Sequence, residues 1–184
     1  MTCAEHGAGA PAAGLRRDIL ALLEEKKPWV IASLAAALGV GEMAVAEALP
    51  PEMCRIICGS HFEQVWEALG QWEKATFIVQ HGGHTIEFRC RIPAGRMGRG
   101  WYNIMGDAPL GGHIMPSAIS HIAFLSMPFM GLESHSVQFF GADGHVAFAV
   151  YAGRENHAVI PAVKEAFMAL RASFNPCGTA KDQL

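Results

Sequence analysis

Between residues 75 and 151 the apolar positions return at every second residue, whereas on either side they return at every third or fourth. A period of two belongs to half-buried strands and a period near 3.6 to amphipathic helices, so the order is helices, then sheet, then helix. Leu15, Ile19, Leu22 and Leu23 put one apolar stripe on a helix over 15–27, which Pro28 ends. Two shorter helices, 32–38 and 42–49, meet at Gly39-Val40-Gly41, and Pro50-Pro51 stops the second. Ser60 with Glu63 three residues later has the form of a capping box for a helix that runs through Leu69. Strands are then predicted at 75–80, 85–91, 100–105, 113–115, 119–127, 134–140 and 145–151. Tight turns around Gly82-Gly83 and Asp143-Gly144 make two of the joints hairpins, and hairpins impose antiparallel pairing. A last helix spans 158–173, with Asn156 as its N-cap and Pro161 in its first turn. The class is therefore α+β: a mostly antiparallel sheet flanked by helices, with a small helical N-terminal segment.

Composition narrows this picture without changing it. With 184 residues, 51% hydrophobic and 17% charged, the chain can bury a core and is no disordered polymer. The expected layout is a disordered leader at 1–14, a helical segment at 15–51, a sheet-rich domain with its C-terminal helix at 52–176, and a tail at 177–184. No stretch approaches ~20 uninterrupted apolar residues, so no membrane insertion is expected. Residues 1–14 lack the basic region followed by an apolar one that marks a secretory signal. Cys3, Cys54, Cys58, Cys90 and Cys177 are odd in number and lack disulfide-framework spacing, which fits free thiols in a reducing cytoplasm. Cys54 and Cys58 have no second Cys or His pair at zinc spacing.

The two short N-terminal helices imitate a helix-turn-helix, yet from Pro28 through Cys54 there is no Lys or Arg, and the second helix would offer Glu42 and Glu47 to phosphates. With a net charge of −3, nucleic acid is excluded as a partner. No nucleophile elbow, phosphate loop, paired metalloprotease histidines or dinucleotide fingerprint occurs either.

Residues 99–157 hold the constellation that looks like a ligand site. His113 follows Gly111 and Gly112 where a loop becomes a strand, and two glycines strip side-chain bulk from the approach to an imidazole. Tyr102, in the Trp101-Tyr102-Asn103 strand, offers a second atom able to bind a metal. His121 alternates with Ile119, Ala123, Leu125 and Met127 and reads as a core histidine, while His135 and His145 read as packing or solvated groups. His6, His61 and His157 read as surface. His81 and His84 bracket a glycine turn, a position that is either solvated or free to fold over a ligand's edge.

An ordered series of motifs runs through residues 30–174: Leu49-Pro50, then Phe62, Val65 and Trp66 in a Phe-x-x-Val-Trp helix, then a Tyr-x-Asn-like strand. Gly112-His113-Ile114, His121 to Ala123, Phe129 to Gly131 and Gly153-Arg154 follow. In this series the chain resembles the heme utilisation carrier family of cytosolic bacterial proteins. The resemblance implies a heme iron utilisation protein-like fold, heme (iron protoporphyrin IX) as the carried ligand, a homodimer, and a downstream heme-degrading protein as acceptor. It makes His113 and Tyr102 the candidate iron ligands. A porphyrin also needs an apolar wall and cations for its two carboxylates. Trp101, Ile104, Met105, Ile114, Met115, Phe129 and Met130 are candidates for the wall, and Arg96 and Arg99 for the rim. His81 and His84 would close over the porphyrin edge. The rival function is a heme-degrading enzyme, for which bound heme is also the substrate.

Overall fold

The computed structural model describes residues 11–177. Three helices come first, α1 (Pro11–Leu23), α2 (Ile31–Leu38) and α3 (Glu42–Ala48), followed by strand β1 (Cys54–Cys58), a short 3-10 turn and α4 (Phe62–Leu69). The strands β2 (Ala75–His81), β3 (His84–Cys90), β4 (Gly95–Gly98), β5 (Trp101–Ile104) and β6 (Gly112–Ile114) follow. The chain then forms β7 (Ile119–Ser126), β8 (His135–Gly141), β9 (Val146–Ala152), the two-residue strands β10 (Arg154–Glu155) and β11 (Ala158–Val159), and α5 (Pro161–Ala172). Every pairing is antiparallel, in a six-stranded sheet ordered β1-β7-β8-β9-β2-β3, a three-stranded sheet β4-β5-β6 and the β10-β11 ribbon.

Strand alternation divides the six-stranded sheet into two faces with different fates. On one face Ile57, Ile122, Phe124, Phe139 and Val150 pack against Trp66 and Leu69 of α4 and Phe167 of α5. Trp66 is buried with its indole N–H donated to the Pro93 carbonyl at 2.9 Å, so its one polar atom is satisfied. On the other face Ala123, Leu125 and Phe140 lie under Ile19, Leu34, Val45 and Leu49 of the N-terminal helices. These helices stop short. The register Ala123, Gln138, Ala149, Ile78, Glu87 crosses five strands on that face, beginning buried and ending exposed. A cleft of ≈ 770 Å³ lies over the open half, with Val30, Ile78, Phe129, Met130, Tyr151 and Arg154 among its walls.

Several boundaries depart from the sequence reading. The first helix begins at Pro11, inside the segment expected to be a leader, while residues 1–10 and 178–184 lie outside the described residues. Cys3 and His6 lie outside them too. Ser60 belongs to the 3-10 turn and does not cap α4; His61 stands at the N-cap with no side-chain cap bond. Asn156 sits in the β10-β11 turn at φ 48°, and Ile160 is the N-cap of α5. Strands β1, β4, β10 and β11 were not expected. The cysteines also need correction: Cys58 and Cys177 form a disulfide, with Cys54 and Cys90 free. The C-terminal turn brings Cys177 beside β1, where its amide donates to the Ile56 carbonyl at 2.9 Å. Buried Cys54 has its thiol pushed up to about 12 by desolvation, so it is an inert core group.

Candidate functional site

Within the small sheet, β5 sends alternate side chains to opposite sides. Tyr102 and Ile104 turn inward and are buried, whereas Trp101 and Asn103 turn outward. The Tyr102 ring stands 5.4 Å from that of Phe62 and 6.0 Å from that of Trp66, both approximately edge to face. Its hydroxyl accepts the Gly95 N–H at 2.9 Å, and only 2% of the residue reaches solvent. Burial pushes the phenol above its ordinary pKa; the Gly95 bond pulls it back in part, and the carboxylates of Glu67 and Glu63 raise it further. Gly95 is required here, because a Cβ at that position would stand 2.3 Å from the tyrosine ring.

Tyr102 is therefore buried with its hydroxyl engaged by backbone, and it does not share a face with His113, the residue expected to join it as an iron ligand. The two residues lie on opposite faces of the sheet: His113 pairs with Asn103, while Tyr102 pairs with Ile114. A phenolate is further disfavoured by the burial that raises the phenol's pKa.

The outer face assembles a different group. Cross-strand register lines up Arg96, Asn103 and His113 in one row across β4, β5 and β6. The Asn103 amide nitrogen donates to the carbonyls of Trp101 at 2.9 Å, Arg96 at 3.1 Å and Gly98 at 3.4 Å, and its Oδ1 lies 2.8 Å from His113 Nδ1. His113 itself is exposed. Trp101 and Met105, two residues either side of Asn103, and Met115, two residues after His113, expose 40%, 79% and 39% of their surface. Three large apolar side chains exposed so close in sequence and register to one imidazole are unusual for a solvated face. Gly112 has φ +139° and open space where a Cβ would stand, so it keeps the approach to His113 clear.

The remaining expected residues are distributed unevenly. Arg96 lies in the His113 row; Arg99 sits in the β4-β5 turn at φ 55°, followed by Gly100 at φ 82°. Neither arginine side chain has an ion-pair partner among the described residues. Met115 adjoins the site. Phe129 and Met130 do not, because they wall the cleft on the six-stranded sheet, where the Met130 amide donates to the Lys27 carbonyl. His81 and His84 face each other across the Gly82-Gly83 turn at the outer hairpin, both exposed, while Gln80 and Thr85 beside them line the cleft. Among the described residues no three His, Cys, Asp or Glu side chains converge as a metal cage. An axial ligand to a macrocycle needs no such cage, since the macrocycle supplies the other donors.

The cleft is a sizeable cavity, but His113 is not among its lining residues. Its histidine, His157, is in a turn with its carbonyl accepting from Arg154 at 3.2 Å. The exposed imidazole with fixed Nδ1 makes the outer face of the small sheet the stronger candidate for ligation.

Known proteins resemble the chain across most of its length. The family described as Haem utilisation ChuX/HutX matches residues 55–170. A protein of Vibrio cholerae named Intracellular heme transport protein HutX is 39% identical over 159 residues, covering 85% of this chain and 82% of that one. Among solved structures, the heme binding protein ChuX superposes with a TM-score of 0.75 at 25% identity, over 84% of this chain and 97% of that one. Holo-PhuS, a heme-binding protein from Pseudomonas aeruginosa, superposes with a TM-score of 0.72 at 14% identity, a likeness of fold alone, over 96% of this chain and 50% of that longer one.

Proposed function

This chain belongs to the Haem utilisation ChuX/HutX family, and from that premise we propose that it carries heme inside the cell, accepting it after import and passing it to a heme-degrading protein. One observation carries the assignment of the site: the exposed His113 stands on a sheet face bordered by Trp101, Met105 and Met115, with Asn103 holding its inner nitrogen. His113 Nε2 would ligate the iron, the apolar apron would meet the porphyrin face, and Arg96 and Arg99 would pair with its carboxylates. A carrier has to release its load, and a site on an open sheet face with one protein ligand suits release better than an enclosed pocket. Titration with ferric heme should give a saturable absorption band at about one heme per chain, and the band should persist with reductant and oxygen present. A titration without saturation rejects the carrier reading, and bleaching of the band with release of iron replaces it with heme degradation.

The site of action is the cytoplasm, a reading supported by the Vibrio cholerae relative named an intracellular transport protein; separately, no single helix among the described residues is long and apolar enough to cross a membrane. The working form is a homodimer in which a second copy covers the open half of the six-stranded sheet. This is supported by the apolar wall that Ile78, Phe129, Met130 and Leu132 give the cleft and by PhuS, of whose chain this one spans only 50%. Sedimentation that finds only monomers across the accessible concentration range rejects the dimer.

A further inference from the structure

An imidazole exposed on a sheet face has two neutral tautomers, and only the one with a bare Nε2 can ligate a metal through that atom. The side chain of Asn103 has no freedom to choose between them. Its amide nitrogen is committed to three backbone carbonyls, those of Trp101, Arg96 and Gly98, at 2.9, 3.1 and 3.4 Å. Turning the amide over would aim Oδ1 at those three oxygens and lose every bond, so the orientation is set by the β4-β5 hairpin itself. Oδ1 then faces His113 Nδ1 at 2.8 Å, and a carbonyl oxygen there demands a proton on that nitrogen.

We propose that Asn103 is a positioning residue that locks His113 as the Nδ1–H tautomer and turns an unprotonated Nε2 outward, ready for the iron of heme. The chain of cause begins in the backbone: the hairpin fixes Asn103, Asn103 fixes the proton, and the proton's position fixes the ligand atom. The role in ligation rests on the carrier reading, whereas the tautomer is a property of the chain without heme. Metal-bound histidines commonly donate their second nitrogen in this way, and loss of such a partner costs about 10- to 100-fold in affinity.

The test separates these two levels. In the full, heme-free chain labelled with nitrogen-15, above the ordinary titration range of imidazole, long-range proton–nitrogen correlation identifies the protonated ring nitrogen, with His113→Gln assigning the signals. The expected pattern for His113 is a proton on Nδ1 and a bare Nε2, reverting toward a mixture in Asn103→Ala. An Nε2–H or averaged pattern in the unsubstituted chain overturns the proposal, and this outcome needs no variant to fold. In titrations with ferric protoporphyrin IX, Asn103→Ala should weaken binding about 10- to 100-fold yet have no further effect once His113 is already alanine. An equal loss in that background would show Asn103 acting by another route and would also overturn the proposal. Failure of the unsubstituted chain to bind heme would reject the carrier reading alone, with the tautomer still decided by the nitrogen spectrum.

Discussion

Tyr102 and Asn103 are neighbours in sequence and opposites in use. The tyrosine belongs to a core of aromatic rings and spends its hydroxyl on the Gly95 backbone, whereas the asparagine stands outside and spends its amide on orienting an imidazole. The same three strands thus present an inner face packed into the core and an outer face open to solvent, which we propose meets the ligand. One consequence is that two donors adjacent in the small sheet meet different surroundings, one buried and one exposed. The phenol packs against Phe62 and Trp66, and the exposed imidazole 2.8 Å from a fixed carbonyl oxygen is the donor we propose for heme.

The largest effect that would sharpen this contrast is expected at His113. His113→Ala should reduce ferric heme affinity by at least about tenfold, or ~1.4 kcal/mol, while the unfolding midpoint moves by no more than about 0.5 kcal/mol equivalent, as for other exposed substitutions. Absorption titration and urea unfolding on the same preparation measure the two quantities. Unchanged affinity would remove His113 from the site and break the contrast at its outer face.

Tyr102→Phe should do the reverse at smaller size. The ring stays, the hydroxyl goes and the Gly95 N–H loses its acceptor, so stability should fall by about 1 kcal/mol with the ferric heme spectrum unaltered. A changed spectrum without a change in stability would return Tyr102 to the iron and contradict its place in the core.

The positions of most strands were legible in the sequence, and the faces they present were not. Period-two patterning located β2, β3, β5 and β7 to β9 to within about two residues, because each alternates apolar with polar positions or carries a continuous apolar run. β4, with its Gly-Arg-Met-Gly composition, has neither β-branched residues nor alternation, so it gave no signal. That omission hid the carbonyls that hold Asn103, and with them the residue most closely tied to His113. Parity alone says that Tyr102 and Asn103 point apart, but which one meets water depends on α4 packing beneath the small sheet. Phe129 and Met130 lie near His113 in sequence, yet β7 carries the chain away from the small sheet before they occur. The Cys58–Cys177 bond joins positions 119 apart, a pairing decided by where the C-terminal turn docks.

The smallest expected effect lies at Glu133 and probes the buried side again. Its carboxylate accepts from Lys164 Nζ at 2.6 Å and His135 Nε2 at 2.9 Å, while the His135 ring packs on Phe167 of α5. The Lys164 bond first and the His135 bond second hold the carboxyl below its ordinary pKa, against a small opposing push from burial. A pKa lowered by folding means that the native state favours the ionised form. Its stabilisation is thus fully present above the ordinary carboxylate range and is lost as pH falls through the lowered value. Glu133 is half exposed, so solvent screening keeps the contribution below about 1 kcal/mol. Glu133→Gln should therefore unfold at slightly lower urea than the unsubstituted chain at neutral pH, with the gap closing on acidification, and heme affinity at neutral pH should not change. A gap that stays constant into acid would show that the ionised carboxylate contributes nothing, and a loss of heme affinity would mean that the inner and outer faces are coupled after all.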